Sequence, residues 1–594
     1  MLKLLCLDVE VLPNYFLINI QRLDDNKRIS FEAYNSFLPV EQRKRLRNIL
    51  SKHTSFGFNS NNYDIPIINA IVGGKNCSEV YEISKTIIEE GLPDYRTYAQ
   101  FDIEARPFKH FDIKEPAPAT MISLKNYGTR VGSKKLQEFY LDPHTPISPS
   151  QVNALKDYCW NDIEVTIDLY NSIKGRMELR ESMSEQYGLD LMSKSDAQIA
   201  EAVITSELSK VGIEAKQPTM RNNYKCKYVA PDYIFFEDKE LNNLVAEICE
   251  LNFELASNGA VKMPSSLANK KINIGQTVYK MGIGGLHSQE KKLSVVSNDY
   301  SVMRNADFTS YYPFIILNNK LYPKHLGEGF LTVYRNIVET RLKAKAEGNK
   351  LVADSLKITI NGSFGKFGSK YSKLYSPDLL LATTITGQLT LLMLIEQFEK
   401  HGIPVVSANT DGLEYFCPRD KVDLAEAIVF DLELATGYEM EHGEYKSLHA
   451  RDVNNYVAVY DGYTKAKGVY AETTLSKGRQ TPIVFDAVRK YLLDGTEMID
   501  TIMDCKDINQ FVSARTVKGG GEYDGQYLGK MVRWYYSTKS KGCISYISNG
   551  NKVPKTDGCK PLMDLPEDIP ADLDYNWYFM EAMAMLKDLG VDNG

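Results

Sequence analysis

The chain has 594 residues, of which 43% are hydrophobic and 25% charged, and its formal net charge is −7. This composition indicates a folded protein of several domains and excludes a disordered or collagen-like chain. The sequence has no uninterrupted apolar run of the roughly 18 residues that a membrane helix needs, and its nine cysteines occur singly, without zinc-site spacing. We therefore expect a reducing, cytoplasmic location and no membrane partner. The negative net charge alone argues against nucleic acid, but basic tracts interleaved with tyrosines, such as "YTKAKG" at 463–468, leave a nucleic-acid partner open beside a plain solvated surface.

The pattern of strands and helices changes along the chain. Residues 1–175 alternate strand-like and helix-like runs and end in an amphipathic stretch at 148–173, which predicts an α/β domain. Residues 176–290 read as a helical and irregular connector, and 481–594 as a smaller unit marked by glycine and proline. The fold class we predict is a multidomain protein of α/β and α+β parts.

Four carboxylates in the first 175 residues lie in three short motifs. Strand alternation in "LCLDVEVL" places Asp8 and Glu10 on one face, and Asp64 opens an apolar run. Tyr158 and Asp162 are one helical turn apart in "YCWND". Four carboxylates and a tyrosine hydroxyl suit a two-metal phosphodiester hydrolase, although each pattern alone is also typical of a polar strand edge or solvated loop.

These motifs together, D-x-E, N-x-x-x-Y-D (Asn59 to Asp64) and Y-x-x-x-D, resemble the 3′–5′ proofreading exonuclease of DNA polymerases. The resemblance implies that Tyr158 orients the attacking water and that Asn59 contacts DNA. It also implies that two Mg²⁺ or Mn²⁺ ions are held by the four carboxylates, Asp8, Glu10, Asp64 and Asp162.

A second aspartate motif follows in "DFTSYYP" at 307–313, which resembles the D-x-x-S-L-Y-P motif of family B DNA polymerases, with Tyr311 at the leucine position. The resemblance implies that Asp307 ligates both catalytic metals, helped by the Phe308 carbonyl. Tyr312 would lie beneath the incoming sugar and exclude a 2′-hydroxyl. Alone, the motif also fits a helix N-cap aspartate followed by core aromatics.

The helical stretch "LKITINGSFGKFG" at 356–368 places Lys357, Asn361 and Phe364 on one face. It resembles the family motif K-x-x-x-N-S-x-Y-G, with Gly362 and Phe364 at the serine and tyrosine positions. The resemblance implies triphosphate or nucleotide contacts for Lys357 and Asn361, and DNA contact for Phe364. Arg341 and Lys345, one turn apart on a facing helix, match a second pair of triphosphate contacts, whereas a plain solvated basic face is the alternative.

Two further stretches complete the pattern. "PVVSANTDGLEYF" at 404–416 reads as strand, turn and strand and resembles the D-T-D-S turn, so that Asp411 would be the second metal-binding aspartate. Asn409 and Gly412 depart from that motif, and alone Asp411 is an ordinary turn residue. Downstream, Tyr456 matches the K-x-Y motif that holds the primer end, but Asn454 stands at the lysine position.

The resemblance implies a right-hand polymerase joined to a ribonuclease H-like exonuclease. About 50 positions from Asp307 to Lys357 and about 47 from Phe364 to Asp411 leave no room for terminal-protein or strand-displacement insertions. No domain precedes the exonuclease motifs, which suggests a compact phage type. The implied domains are an exonuclease (1–175), a connector with the first part of the palm (176–300), palm (301–325), short fingers (326–368), palm (369–480) and a thumb or C-terminal region (481–594).

The implied activity is template-directed DNA synthesis on a nucleic-acid primer with proofreading, in the replication of a phage genome within the host cytoplasm. The implied partners are primer-template DNA and dNTPs, with a helicase, primase or single-strand-binding protein as candidates, and the expected state is a monomer. The alternatives left open are a protein-primed DNA polymerase, a stand-alone exonuclease with an inactive palm, and a purely structural DNA-binding protein.

Overall fold

The protein is described by a computed structural model that covers residues 3–118, 122–139, 142–220, 223–478 and 480–591. The chain divides into two compact units. Unit 1 comprises Met1–Ser195, Thr473–Val484 and Ile502–Tyr578, and unit 2 comprises Asp196–Glu472, Phe485–Thr501 and Phe579–Gly594. Both units mix helices and strands, so the fold is a multidomain α/β fold. The sequence predicts one continuous unit over 481–594, whereas the structure divides this region between both units.

The strands of the described residues range from 2 to 11 residues in length. In chain order they are β1 (Leu4–Leu12), β2 (Tyr15–Arg22), β3 (Arg28–Tyr34), β4 (Thr54–Gly57), β5 (His110–Asp112), β6 (Lys225–Cys226), β7 (Phe253–Glu254), β8 (Ile272–Ile274), β9 (Thr277–Gly282), β10 (Gly285–Ser288), β11 (Leu293–Val296), β12 (Ser301–Phe308), β13 (Val405–Asn409), β14 (Gly412–Pro418), β15 (Met440–Tyr445), β16 (Ser447–Asp452), β17 (Asn455–Val459), β18 (Thr464–Ala466), β19 (Ser513–Tyr523), β20 (Gln526–Tyr536), β21 (Ser545–Tyr546) and β22 (Cys559–Pro561).

The α-helices of the described residues are α1 (Val40–Lys52), α2 (Asp64–Gly73), α3 (Cys77–Glu90), α4 (Asp94–Gln100), α5 (Leu124–Val131), α6 (Val152–Ser172), α7 (Lys174–Tyr187), α8 (Asp196–Lys210), α9 (Lys239–Glu250), α10 (Ser265–Ala268), α11 (Tyr311–Asn318), α12 (Gly329–Ala346), α13 (Lys350–Phe367), α14 (Pro377–Lys400), α15 (Val422–Thr436), α16 (Pro482–Asp494), α17 (Met498–Asp504) and α18 (Tyr575–Asp588). The amphipathic stretch that the sequence predicts at 148–173 forms α6.

Unit 1 contains a five-stranded sheet in the order β3-β2-β1-β4-β5, in which β1 pairs antiparallel with β2 and parallel with β4. The two faces of β1 pack against different helices. Leu5 and Leu7 join the core around α1 to α3, whereas Cys6 packs with Ile163 of α6. Because side chains alternate along a strand, Asp8 lies on the α6 face with Cys6.

The rest of unit 1 is a four-stranded sheet in the order β21-β19-β20-β22. The aromatic and basic stretch of β20, which the sequence suggests as part of a thumb, is buried: Trp534, Tyr535 and Tyr536 are each 3% exposed or less. Arg533 is fully buried and donates hydrogen bonds to the carbonyls of Ser133 and Leu562 at 2.7 and 2.8 Å. These side chains therefore hold unit 1 together.

Unit 2 is built on a seven-stranded antiparallel sheet in the order β15-β12-β14-β13-β10-β9-β8. The central pair β13 and β14 forms the hairpin that the sequence predicts at 404–416, with Asn409 opposite Gly412. A four-stranded sheet, β11-β16-β17-β18, contains the strand pair that the sequence predicts around Tyr456.

The long helix α14 lies in the core of unit 2. By length and composition it is apolar enough to cross a membrane, and 78% of its most apolar window is buried inside the protein. Its Gly387 lets α11 approach, since a Cβ there would lie 3.2 Å from ring and side-chain carbons of Tyr311 and Ile315. This burial is what a core helix of a folded unit shows.

Helices α12 and α13 form a hairpin that packs on α8. The α8–α13 contact is close at Gly362, where a Cβ would lie 2.6 Å from the Asp196 carbonyl oxygen and 2.9 Å from Ala200 Cβ. The glycine that departs from the family serine is therefore required by the packing of this helix pair.

Gly362→Ala should destabilise the protein by about 1–3 kcal/mol, because the added methyl meets backbone that cannot easily move. This cost exceeds the roughly 1 kcal/mol that alanine gains over glycine in a helix. Gly365→Ala is the matched control: it lies in the same helix, and a Cβ there meets nothing within 4 Å. Scanning calorimetry should show a lower melting temperature for Gly362→Ala and an unchanged or higher one for Gly365→Ala. A Gly362→Ala protein that melts with the wild type would contradict the close packing.

Candidate functional site

The first candidate site is the acidic cluster of unit 1. Asp8 and Glu10 extend from β1 towards α6, whose Cys159 thiol lies 3.2 Å from Asp8 Oδ2. One oxygen of each carboxylate and the Cys159 sulfur lie within 4.8 Å of one another. Asp64 begins α2, and Tyr158 and Asp162 lie one turn apart on α6.

The four carboxylates repel one another, which shows in their pKa values. Burial, together with the negative charge of Asp162, raises the pKa of Asp8 to about 7. Burial also raises the pKa values of Glu10, Asp64 and Asp162, with Asp8 the next cause for Glu10 and Asp64. The structure thus brings the four predicted acids into one electrostatically coupled cluster.

Two buried oxygens of this cluster have no hydrogen-bond partner among the described residues, Asp64 Oδ1 and Asp162 Oδ1. Asp64 is 4% exposed and Asp162 8%. Buried carboxylate oxygens that lack donors are costly unless a cation compensates them. The donor set, oxygen-rich and anionic, fits divalent cations such as Mg²⁺ or Mn²⁺.

The sequence motifs do not include Lys125, which is the cation of this cluster. Its Nζ donates to the Tyr158 hydroxyl at 2.7 Å and pairs with Glu138 at 3.2 Å. Its charge lowers the pKa values of Asp8 and Asp162 and opposes the effect of burial. Lys125 therefore holds the hydroxyl that the resemblance assigns to the attacking water.

Asn59 lies in the loop between β4 and α2, with φ at 62°. Its backbone N–H donates to Asp112 Oδ1 at 2.9 Å, and Lys114 Nζ donates to its side-chain carbonyl at 2.7 Å. Asparagine adopts this left-handed conformation readily, and the two hydrogen bonds fix its backbone and side chain.

The second candidate site lies in unit 2, at one end of the hairpin β13–β14. Asp307 on β12 is opposite Gly412, and the Phe308 N–H donates to the Asp411 carbonyl at 2.8 Å. This pairing brings the exposed carboxylates of Asp307 and Asp411 to the same sheet end. Thr410 in the turn has φ at 61°, a strained conformation for a β-branched residue.

The charges around these carboxylates are mixed. Although Asp307 is exposed, the surrounding protein atoms partly desolvate its carboxylate and raise its pKa to about 6. A hydrogen bond from Asn305 opposes this rise, and the neighbouring Asp411 adds to it. Burial raises the pKa of Glu414 to about 8, helped by Asp307. The positive charge of Lys467 lowers the pKa values of Asp307, Asp411 and Glu414.

A cavity of about 330 Å³ adjoins Asp411. Aromatic rings line the cavity. The ring centroids of Phe308 and Tyr311 are 3.9 Å apart, and those of Tyr312 and Phe364 are 4.5 Å apart. The lining includes the predicted residues Phe308, Tyr312, Arg341, Asn361, Phe364 and Asp411, together with Ser310, Tyr311, Pro313, Tyr334, Ile360 and Thr410.

Arg341 is held at the cavity by donating to Ser310 Oγ at 2.9 Å. Two other predicted triphosphate contacts do not line the cavity: Lys357 is exposed on α13, and Lys345 is exposed and pairs with Glu441 at 3.4 Å. The structure thus places a guanidinium at the cavity and leaves these two lysines outside its lining.

Comparison with known proteins relates part of the chain to DNA polymerases. No protein-family model matches it. The chain is 27% identical over 173 residues to DNA polymerase 1 of Sulfolobus acidocaldarius, covering 28% of this chain and 18% of that protein. It is 27% identical over 191 residues to DNA polymerase 1 of Saccharolobus solfataricus (30% and 20% covered) and 28% identical over 102 residues to DNA polymerase II of Escherichia coli (15% and 13% covered). The chain is a distant homologue of DNA polymerases.

These matches span about a fifth of the curated relatives' length or less. Among solved structures, the family B DNA polymerase from the hyperthermophilic archaeon Pyrobaculum calidifontis aligns with 100% of this chain and 78% of its own, at 14% identity and a TM-score of 0.42.

Several departures from the polymerase motifs have structural reasons. A Cβ on Gly412 would lie 1.7 Å from Asp307 Oδ1, so only glycine permits the position of that carboxylate. Tyr311, at the leucine position, donates through its hydroxyl to the Gly387 carbonyl at 2.7 Å. Each change accompanies a close contact at the second site.

Asn409 and Asn454 both differ from the residues of the polymerase motifs, and the two changes are related. The resemblance places an acid at the first position and a lysine at the second, and here the Asn409 amide donates to the Asn454 side-chain oxygen at 3.3 Å. A neutral pair thus replaces two opposite charges. Lys467, whose N–H bonds to the Tyr456 carbonyl and whose Nζ lies 6.0 Å from the Tyr456 ring centroid, is the nearby cation on the adjacent segment.

The sequence reasoning missed Cys159, Lys125, Glu414 and Lys467. Three of them carried a weak signal, since Cys159 lies inside the "YCWND" motif, Glu414 inside the stretch "PVVSANTDGLEYF" and Lys467 inside the basic tract "YTKAKG". Lys125 reaches its site only through packing, and no local pattern marks it.

Without divalent metal, the front acidic cluster should make the protein less stable as pH rises. The pKa of Asp8 is about 7 in the folded state against an ordinary value of 3.8, so the folded state binds more protons between these values. The contribution of Asp8 to the free energy of unfolding therefore falls as pH increases from about 4 to about 7. Asp8→Asn removes this titration.

In the presence of a chelator, the melting temperature of the wild type should therefore fall more between pH 5 and pH 8 than that of Asp8→Asn. Asp24→Asn, an exposed acid paired with Lys3, is the control and should follow the wild type. Parallel curves for wild type and Asp8→Asn would show that the carboxylates are not coupled in this way.

Proposed function

We propose that the protein is a template-directed DNA polymerase that extends a nucleic-acid primer with dNTPs, and that unit 1 carries a 3′–5′ exonuclease. The observation that supports this most directly is the pairing of Asp307 and Asp411 at one sheet end beside a cavity lined by Tyr312 and Arg341. The similarity of part of the chain to DNA polymerases supports the same reaction.

Asp307 and Asp411 would hold the divalent ions at the polymerase site, with help from the Phe308 carbonyl. When bound, two such ions make a primer 3′-oxygen nucleophilic and neutralise a triphosphate. Arg341 at the cavity would stabilise the charge that develops on pyrophosphate, and the exposed Lys357 and Lys345 would approach the phosphates from α13 and α12. Lys467 would supply, next to Tyr456, the positive charge that Asn454 lacks at the primer end.

The nucleotide itself would rest on the aromatic rings that line the cavity. The Tyr312 ring is fixed by Phe364 on one side, and its hydroxyl donates to the Gly284 carbonyl at 3.1 Å. A ring held rigidly beneath the sugar leaves no space for a 2′-hydroxyl and so selects dNTPs. Asn361 lies in the lining, where it would support the nucleotide.

At the front acidic cluster, Asp8, Glu10, Asp64 and Asp162 would hold two ions, and Tyr158, kept in place by Lys125, would orient the water. The ions activate that water and stabilise the leaving oxygen when bound. A frayed 3′ end would reach this cluster as a single strand, with Asn59 as a DNA contact.

We further propose that the protein is a compact family B polymerase of phage type, acting in DNA replication in the host cytoplasm. The short intervals between the aspartate and helix motifs, about 50 and 47 positions, support ordinary primers and argue against strand displacement. A helicase, primase or single-strand-binding protein would then assist it. DNA binding through phosphates should weaken with salt and depend little on sequence.

The main alternative is a stand-alone exonuclease with an inactive polymerase site. Asn409 and Gly412, which replace residues of the family motif, favour it. The presence of both Asp307 and Asp411 and the formed cavity favour the polymerase.

A 5′-labelled primer on a longer template, with Mg²⁺, should be extended when dNTPs are present and shortened when they are absent. Asp411→Ala should reduce extension by on the order of 10³-fold or more while shortening persists, because a metal-binding carboxylate is lost. Asp8→Ala should do the reverse. Asp461→Ala and Asp24→Ala, exposed acids that pair with Lys446 and Lys3, are the respective controls.

Shortening without extension in the wild type would favour the stand-alone exonuclease. Extension that requires an added terminal protein would favour the protein-primed alternative.

Arg341→Ala should raise the KM for dNTPs by about 10- to 100-fold, the loss expected for a charge-assisted hydrogen bond to phosphate. Lys343→Ala is the matched control, because Lys343 lies on the same helix but is exposed and pairs with Glu347. Ser310→Ala tests whether the effect passes through the Arg341–Ser310 hydrogen bond. Equal KM values for Arg341→Ala and Lys343→Ala in steady-state extension would remove Arg341 from the nucleotide site.

A further inference from the structure

The front acidic cluster contains one group that a Mg²⁺-dependent hydrolase does not require, the thiol of Cys159. This thiol is buried and donates a hydrogen bond to Asp8 Oδ2 at 3.2 Å. Its sulfur, one oxygen of Asp8 and one oxygen of Glu10 all lie within 4.8 Å of one another. A thiol that only filled space could pack anywhere on the core face of α6. Here it faces the acids.

A second observation is that, in the described part of the chain, two buried carboxylates of this cluster each have an oxygen without a hydrogen-bond donor. Asp64 and Asp162 are each more than nine-tenths buried, and one carboxylate oxygen of each has no hydrogen-bond partner among the described residues. The negative charge of Asp64 raises the pKa of Glu10, and that of Asp162 raises the pKa values of both Asp8 and Glu10. A metal ion would satisfy these oxygens.

The kind of metal follows from the donors. Magnesium prefers oxygen ligands, whereas a thiolate favours Zn²⁺ and other thiophilic ions. A tetrahedral Zn²⁺ site has Zn–S near 2.3 Å and Zn–O near 2.0–2.2 Å, so ligand atoms up to 4.8 Å apart would need to approach one another by about 1.4 Å at most. Cys, Asp and Glu are each ligands that Zn²⁺ accepts, and three protein ligands leave a fourth position open.

We propose that Cys159, Asp8 and Glu10 form a binding site for a thiophilic divalent cation, Zn²⁺, which competes with Mg²⁺ at the front acidic cluster. The site itself rests only on these residues, and its effect on hydrolysis rests on the exonuclease proposed above. On binding, the sulfur–hydrogen bond breaks, the electron pair stays on sulfur to form the bond to the metal, and the proton passes to solvent water. No change of oxidation state occurs. Zinc would thereby restrain exonuclease activity that Mg²⁺ supports.

The test uses the full chain after removal of metal by a chelator, with Cd²⁺ as a spectroscopic substitute for Zn²⁺. Titration should produce a sulfur-to-cadmium charge-transfer absorption that saturates at one ion per chain, and Zn²⁺ should remove it. Cys159→Ser keeps the size and polarity of the side chain and should lose this absorption. Cys77→Ala is the matched control, since Cys77 is also a buried thiol of unit 1, bonded to the Ala33 carbonyl outside the cluster.

We expect Cys159→Ser to lower Cd²⁺ affinity by more than the roughly 10- to 100-fold that loss of an outer partner of a metal ligand costs. Asp8→Asn, which leaves the thiol intact, should weaken binding as well. Absorption that persists in Cys159→Ser, or that is absent from the wild type, would overturn the site.

A second readout separates the site from the proposed exonuclease. In Mg²⁺ without dNTPs, added Zn²⁺ should inhibit primer shortening by the wild type and by Cys77→Ala at much lower concentrations than it inhibits Cys159→Ser, each compared with its own rate in Mg²⁺ alone. If Zn²⁺ inhibited primer shortening by all three proteins at the same concentration, the proposed competition between Zn²⁺ and Mg²⁺ at Cys159 would be wrong. A wild type that shows the absorption but shortens no primer would overturn the exonuclease and support the metal site.

Discussion

Repulsion between carboxylates that the backbone forces together is the constraint on which both candidate sites depend. In unit 1 the alternation of β1 directs Asp8 and Glu10 towards α6, which brings Asp162. In unit 2 the register of β12 with β14 brings Asp307 beside the Asp411 turn. Neither arrangement stabilises the fold by itself, because like charges in a poorly hydrated space raise one another's pKa values. Their compensation must come from lysines, bound cations or protons.

The two sites meet this constraint in different ways. At the front cluster Lys125 supplies one positive charge, and two buried oxygens still lack a partner. At the second site the carboxylates are exposed, and Lys467 and a hydrogen bond from Asn305 offset part of their repulsion. The front cluster should therefore depend more strongly on bound metal, because bulk water cannot compensate carboxylates in a buried space.

Much of this organisation could be predicted from the sequence. The strand alternation around Asp8, the helical spacing of Tyr158 and Asp162 and the hairpin at Asp411 are local patterns, and local patterns fix which side chains share a face. What the sequence could not give were the contacts made between distant segments. Lys125 and the Asn409–Asn454 pair meet their partners only after packing, and the burial of Trp534 within unit 1 likewise depends on segments that are distant in the sequence.

The departures from the family motifs have two kinds of cause. At the glycines, neighbouring atoms leave no space for a larger side chain. At the asparagine pair, the two neutral side chains bond to each other. Gly362 permits the close approach of α8, and Gly412 permits the position of Asp307. Asn409 loses a negative charge at the position that contacts Asn454, which in turn lacks the expected lysine, so removing both charges leaves the local balance unchanged. A single charged replacement at either position would leave that charge without its partner, whereas the neutral pair keeps its hydrogen bond. The paired change therefore leaves the net charge of these two positions as it is in the family motif, and Lys467 is a cation beside Tyr456.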